Sequence, residues 1–92
     1  MTRIKISQLV WDEFNTNHIH KHNVIKRDIE KTLSHILAHK IGKKGKIVVI
    51  GRCDKRILVL ILGREKENKY YVVTARDADK KERRLVYEKE SK

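Results

Sequence analysis

Apolar residues change their spacing along the chain, and each change marks a different predicted element. In residues 1–10 apolar and polar positions partly alternate, at Ile4, Ile6 and Leu9-Val10, which predicts an edge strand or an extended lead-in. From residue 12 the spacing becomes helical, and one face of this predicted helix carries Trp11, Phe14, His18, Ile19 and His22. Asn23 tolerates the left-handed conformation of a helix end, and a second helix is predicted over about 26–36.

Four apolar segments rich in Ile, Val and Leu follow, at residues 36–41, 46–52, 56–63 and 69–76. The connections between them are short, so consecutive strands are expected to run antiparallel. A final helix is predicted from about 80 to 90, because Asp79 and Glu82 have the spacing of an N-terminal capping box. The pattern predicts a single α+β domain over residues 1–92, with two N-terminal helices, a four-stranded antiparallel sheet, a possible extra N-terminal edge strand and a C-terminal helix.

The segment Ile57–Leu62 is apolar at every position, which is typical of a central strand covered on both faces. Few helices are predicted, and two faces need cover. We therefore expect a partner chain, either a second copy or another protein, to bury one of these faces.

The chain is strongly basic, with 23 Lys and Arg residues against 12 Asp and Glu and a formal net charge of +11. The basic residues recur in every segment, so nucleic acid or an acidic protein is the expected partner. The alternative is a solvated basic surface that only keeps the chain soluble.

The expected cellular compartment follows from three features that the sequence lacks: a pair of cysteines, a signal peptide and a membrane helix. Cys53 is the only cysteine, which excludes an intrachain disulfide and suits a reducing compartment. The N-terminal residues have no apolar stretch of the kind found in a signal peptide, and no apolar run approaches the ~20 residues of a membrane helix. We expect a cytoplasmic protein that does not associate with a membrane.

Candidate chemistry comes from the histidines and the basic residues. Cleavage of RNA without a metal needs a base for the 2′-hydroxyl proton, cations for the charged phosphorus centre and an acid for the leaving oxygen. His22, beside Lys21 at a predicted helix end, is the favoured histidine, whereas His18 is expected to be half-buried and structural. His35 and His39 are four residues apart, but no acidic or cysteine ligands cluster near them, so no metal or cofactor site is predicted.

Two interpretations remain open for Arg76, which ends the last predicted strand. Its planar guanidinium can hold two phosphate oxygens, or it can form a salt bridge with Asp77, Asp79 or Glu82. Glu82 is likewise either a capping residue or a general base. Arg83 and the arginine after it project to different sides of the final helix, so only one of them can face the sheet.

The order of these residues resembles the BrnT family of toxins from bacterial type II toxin–antitoxin pairs. The matching elements are WDE…N..HI.KHNV from residue 11 to 24, IGR at 50–52, the apolar strand near 57–62, and VTARDA..KERR from 73 to 84 with Tyr87 after it. The resemblance covers the chain from about Ile6 to Tyr87. It implies the fold of the RelE group of ribonucleases, with two helices, an antiparallel sheet and a terminal helix.

Carried over to this sequence, the resemblance implies that the catalytic residues are Lys21, His22, Arg52, Arg76, Glu82 and Arg83. It implies RNA contacts from Lys21, Arg52, Arg76, Arg83 and Tyr87. The chain departs from the family pattern at Tyr71, where many members carry arginine, at Asn23, where glycine is common, and at Ile25, where Ser or Thr often starts the second helix.

The resemblance therefore implies a metal-independent ribonuclease toxin that needs no cofactor, inhibits translation and is neutralised by a cognate antitoxin protein. The alternative is a catalytically weak or inactive module that binds nucleic acid or antitoxin, because Tyr71 replaces a possible phosphate-binding cation. A homodimer or a toxin–antitoxin hetero-oligomer is the expected assembly. We expect the end of the first helix and the end of the last strand to converge, so that His22 and Arg76 surround one phosphate-sized pocket.

Overall fold

The computed structural model describes residue 6 and residues 8–91 of the chain. This part forms a five-stranded sheet and three α-helices, with a short 3₁₀ turn at Lys43–Gly45. In chain order the elements are β1 (Gln8–Val10), α1 (Glu13–His20), α2 (Lys26–Ser34), β2 (Ile36–Ile41), β3 (Ile47–Cys53), β4 (Arg56–Lys66), β5 (Lys69–Asp77) and α3 (Lys80–Glu90). The strand order across the sheet is β1-β5-β4-β3-β2.

The sheet is mixed, and in this respect the prediction of four antiparallel strands is only partly confirmed. Strands β2 to β5 form the expected antiparallel meander, because each is joined to the next by a short turn. β1 adds a fifth strand at the edge, and it runs parallel to β5. The side chain of Asn15 fixes this arrangement by donating from Nδ2 to the carbonyl oxygen of Val10 at 2.9 Å, which ties the end of β1 to α1. The predicted contribution of Ile4 to this strand lies outside the described residues.

The first helix buries only part of the predicted face. Ile19 is buried as predicted, but Asn15 is buried as well and Phe14 is 75% exposed. A polar residue can be buried here because its amide is fully used: Asn15 forms a capping box with Asp12 and also bonds Val10. Asn23 has the expected left-handed conformation, with φ 58°. Helix α2 ends at Ser34, two residues before the predicted limit, because Ile36 begins β2.

Both faces of β4 are covered by helices of the same chain. On one face Leu58, Leu60 and Leu62 pack with Ile19 of α1 and Ile29 of α2. On the other face Val86 of α3 belongs to a second apolar cluster, which also contains Ile50, Ile57, Val59 and Ala78. The expectation that a partner chain must cover a whole face is therefore wrong for the part next to α3. Ile61, which is half-buried, marks the part of β4 that α3 does not cover.

Gly51 allows α2 to approach β3 at backbone distance. A Cβ atom at this position would lie 2.7 Å from the carbonyl oxygen of Thr32, 2.8 Å from its Cγ2 and 2.9 Å from the carbonyl oxygen of His35. The next residue, Arg52, donates its backbone N–H to that same His35 oxygen at 3.1 Å. The end of α2 is thus held against β3 by backbone atoms that cannot move independently of either element.

Replacing Gly51 by alanine is expected to destabilise the fold by about 1–3 kcal/mol, since the added methyl group must push two backbone segments apart. The measurement is the free energy of unfolding from urea denaturation. Gly63→Ala is the matched control, because a Cβ there meets only Val73 at 3.7 Å and Lys46 at 3.8 Å. The control should be neutral or stabilising by up to about 1 kcal/mol. Equal destabilisation by the two substitutions would contradict this account of the α2–β3 contact.

Candidate nucleic-acid interface

The predicted site residues fall into two groups on opposite faces of the sheet. Arg52 pairs with Ile57 and Arg76 pairs with Val59, and both partners belong to the apolar cluster under α3. These arginines therefore lie on the α3 face. Lys21 and His22 follow α1, which packs on the other face through Ile19.

A bulge in β5 decides where Arg76 lies. Ile61 pairs with Thr74 and Leu62 pairs with Val72, which leaves Val73 as an extra residue. Tyr70, Val72 and Ala75 consequently share one face, although strict alternation would separate Val72 from Ala75. If β5 alternated strictly from Tyr70 onward, Arg76 would share the face of Tyr70 and Val72, which is the α1 face. The bulge moves its side chain to the α3 face.

Arg76 and Glu82 form a two-point ion pair on the α3 face. Nη1 donates to Oε1 at 2.8 Å and Nη2 donates to Oε2 at 3.0 Å. Glu82 also accepts the backbone N–H of Asp79 at 2.8 Å, which completes the predicted capping box. The Arg76 hydrogen bonds lower the pKa of Glu82, and the same contact raises the pKa of Arg76. With these donors the Glu82 carboxylate is a weak base. In the chain without a ligand, Glu82 therefore caps α3 and forms a salt bridge with Arg76.

A second ion pair holds the far end of α3. Arg52 donates from Nε and Nη2 to the carboxylate of Glu90, both at 2.8 Å. These bonds lower the pKa of Glu90 and raise that of Arg52. Tyr87 is on the same helix, one turn before Glu90, and 55% of its surface is exposed. The two arginines thus anchor the start and the end of α3 to the sheet.

A groove of about 470 Å³ lies between α3 and the strands β2 and β3. Its lining combines apolar residues with basic ones: Ala38, His39, Lys40, Val48, Ile50, Lys81, Glu82, Leu85 and Lys89. Lys89 also donates to the carbonyl oxygen of Leu37 at 3.4 Å. Lys40 and Lys89 are functional candidates that the sequence pattern did not single out. The alternation of β2 was the available signal for Lys40, which shares a face with Ala38.

The remaining predicted residues are exposed. Arg83 makes no side-chain hydrogen bond or ion pair with the described residues, and Val86 rather than Arg83 fills the space against the sheet. Lys21 and His22 are exposed in the turn after α1, and the His22 ring meets the His18 ring edge-on at 5.6 Å.

Arg56 joins the two chain segments that were expected to converge. Its guanidinium donates to the carbonyl oxygen of Asn23 at 2.7 Å, to that of His22 at 3.4 Å and to the carboxylate of Asp77 at 3.0 Å. The Arg56 side chain therefore bridges the turn after the first helix and the end of β5. Their side chains do not share a pocket, because His22 and Arg76 lie on opposite faces of the sheet. The expectation of one common phosphate pocket is therefore wrong.

Within residue 6 and residues 8–91, His, Cys, Asp and Glu side chains do not gather in groups of three or more that could hold a metal ion. None of the helices in that part of the chain has the length and apolar character needed to cross a membrane. Cys53 is buried, and burial raises the pKa of its thiol.

The Arg76–Glu82 pair should make stability depend on pH. Because the pKa of Glu82 is lowered in the folded state, its contribution is complete above the ordinary glutamate pKa of ~4.3 and is lost as the pH falls through the lowered value. Glu82→Gln keeps an oxygen for the cap but loses the charge. The difference in unfolding free energy between wild type and this variant should be largest at pH 7 and shrink below about pH 4.

The control for this titration is Glu88→Gln, which changes an exposed carboxylate of the same helix and should leave the unfolding free energy at pH 7 nearly unchanged. A wild-type minus Glu82→Gln difference that stayed constant from pH 7 to pH 3 would contradict a stabilising charge at Glu82.

The comparisons with known proteins concern the fold. No protein-family model matches the chain, and neither does any curated protein. Among solved structures the chain is similar to the crystal structure of the Brucella abortus ribonuclease toxin BrnT, with a TM-score of 0.64 and 23% sequence identity. The similarity covers 79% of this chain and 97% of that one. The chain therefore has a BrnT-like fold, which confirms the structural part of the resemblance.

Proposed function

We propose that the chain is a metal-independent ribonuclease toxin that cleaves RNA, inhibits translation and is neutralised by a cognate antitoxin. Three observations support the proposal: the BrnT-like fold, the formal charge of +11 and the basic groove along α3. The groove carries the argument, because it is the place where several lysines and an arginine–carboxylate pair lie together.

The groove has the chemical requirements of a phosphodiester site. Lys40, Lys81 and Lys89 line it from both sides, and their charges attract and stabilise a phosphate whose negative charge increases in the transition state. Arg76 stands behind Glu82 and can exchange its carboxylate partner for phosphate oxygens, since its planar fork matches both. Exposed Arg83 and Tyr87 extend the RNA-contacting surface along α3.

Proton transfer is assigned to Glu82, the carboxylate that lines the groove. Arg76 lowers the pKa of Glu82, and this effect is removed when Arg76 turns to phosphate oxygens. His22 lies on the opposite face, and so does the side chain of His39, because His39 pairs with Val49 of the apolar cluster under α1 and α2. In this proposal Lys21 and His22 contact RNA away from the reacting phosphate. Arg52 acts by anchoring α3 through Glu90.

A second candidate function is favoured by the state of the two arginines. Arg76 and Arg52 are each engaged by a carboxylate, and Tyr71, which stands in for a possible cation, bonds Asp12 with its hydroxyl 3.1 Å from both carboxylate oxygens. Such a chain could bind RNA or an antitoxin through its lysines without cleaving. It would show salt-sensitive RNA binding, with log affinity falling about 0.7 per phosphate contact for each tenfold rise in salt, and no cleavage.

The decisive measurement is the initial rate of cleavage of an unstructured RNA in EDTA. Lys81→Ala should lower the rate about tenfold, because it removes one groove cation. Lys80→Ala is the matched control, since Lys80 is exposed on the same helix but does not line the groove. Glu82→Gln should cost about 10²–10⁴-fold, the usual contribution of a proton-transfer group, whereas His22→Ala should retain most activity. Thermal unfolding checks that each variant is folded.

The possible outcomes separate the proposals. Intact RNA with the wild type, together with salt-sensitive binding, supports the non-cleaving module. Cleavage that depends on His22 but not on Glu82 or Lys81 places the reaction on the α1 face and overturns the groove assignment. Equal losses in Lys80→Ala and Lys81→Ala indicate general electrostatic attraction rather than a phosphate site.

A further inference from the structure

Three rings form a stripe along α1 and the turn that follows it, in which Phe14 and His22 are exposed and His18 is half-buried. Phe14, His18 and His22 are spaced four residues apart, so they lie one above another on one side of the helix. The Phe14 and His18 rings are nearly parallel, at an interplanar angle of 7° with centroids 6.4 Å apart. The His22 ring meets His18 edge-on at 5.6 Å. We call this set the α1 stripe.

The α1 stripe is not used to pack the fold. Helix α1 attaches to the sheet through Asn15 and Ile19, which are fully buried, whereas Phe14 is 75% exposed. Among the larger apolar side chains of the described residues, only Ile41 has a comparable exposure, at 79%. An exposed phenylalanine flanked by partly polar rings is typical of a contact surface rather than of a core.

The chemistry around the α1 stripe favours an unpaired nucleobase as its occupant. A surface concavity of about 450 Å³ is lined by Phe14, Asn17, His18 and Lys21. It therefore combines two ring faces, an amide that can donate and accept hydrogen bonds, and a cation. A nucleotide presents the matching set, namely a flat π face, hydrogen-bonding edges and a negative phosphate. Among the described residues, no carboxylate lines this concavity to repel a phosphate.

We propose that the α1 stripe, together with Lys21, is a stacking site for an unpaired base of the RNA substrate. The proposal rests on the proposed function only in assigning RNA as the ligand, and it adds a second contact on the face opposite the groove. An RNA strand bound at both places would have to pass around the edge of the sheet. Single-stranded RNA is flexible enough to do so, whereas a duplex is not and has its base faces covered.

Binding can be measured separately from cleavage. The probe is a fluorescent single-stranded oligonucleotide with 2′-O-methyl groups, which lacks the nucleophile for cleavage, and the comparison probe is its duplex. Phe14→Ala should weaken binding of the single strand on the order of 5- to 100-fold, the range for loss of one stacked base. Phe14→Trp should preserve or strengthen it. Duplex affinity should change less than about twofold in both variants.

Ile41→Ala is the matched control, because it removes an equally exposed apolar side chain elsewhere on the surface and should leave both affinities unchanged. The proposal is overturned if Phe14→Ala leaves single-strand affinity unchanged, which would point to a protein as the occupant. It is also overturned if the single strand and the duplex weaken equally. Wild-type cleavage in EDTA is scored independently, so base stacking without cleavage upholds this inference while the ribonuclease proposal fails.

Discussion

The apolar strand β4 is the constraint around which the chain is organised. Leu58, Leu60 and Leu62 face α1 and α2, while Ile57 and Val59 face α3. A strand of this kind is stable only when both faces are removed from water, at roughly 25 cal/mol per Å² of apolar surface. The helices must therefore be divided between the two faces of the sheet. This division also separates the charged residues that the helices carry into two surfaces.

Much of the fold could be predicted from local sequence patterns. The limits of β2 and α3, the capping box of Asp79 and Glu82, and the left-handed Asn23 follow from interactions within a few residues. The parallel pairing of β1 could not be predicted in this way, because it joins residues 8–10 to residues 69–71 across most of the chain. The burial of Asn15 in α1 was also missed, because an asparagine with two hydrogen-bonding partners occupies a position that composition assigns to the surface.

The site was harder to predict than the fold, and one residue explains most of the difference. The pattern from Tyr70 to Ala75 gives no sign that Val73 is an extra residue in β5, yet this bulge determines the face on which Arg76 lies. The salt bridge from Arg76 to Glu82 was one of the two interpretations that the sequence left open for Arg76, and it is present. It could not identify the groove, because Lys40, Lys81 and Lys89 come from distant segments and resemble ordinary solvated lysines.

Arg56 connects two segments that are far apart in the sequence. One guanidinium holds the peptide carbonyls just beyond α1 and the carboxylate of Asp77, and its side chain is only 33% exposed. Arg56 pairs with Cys53 and Asp77 pairs with Leu58, so these contacts lie on the α1 face of the sheet. A ligand that displaces the turn after α1 would remove two acceptors of Arg56 at once and would leave the end of β5 without this link to α1.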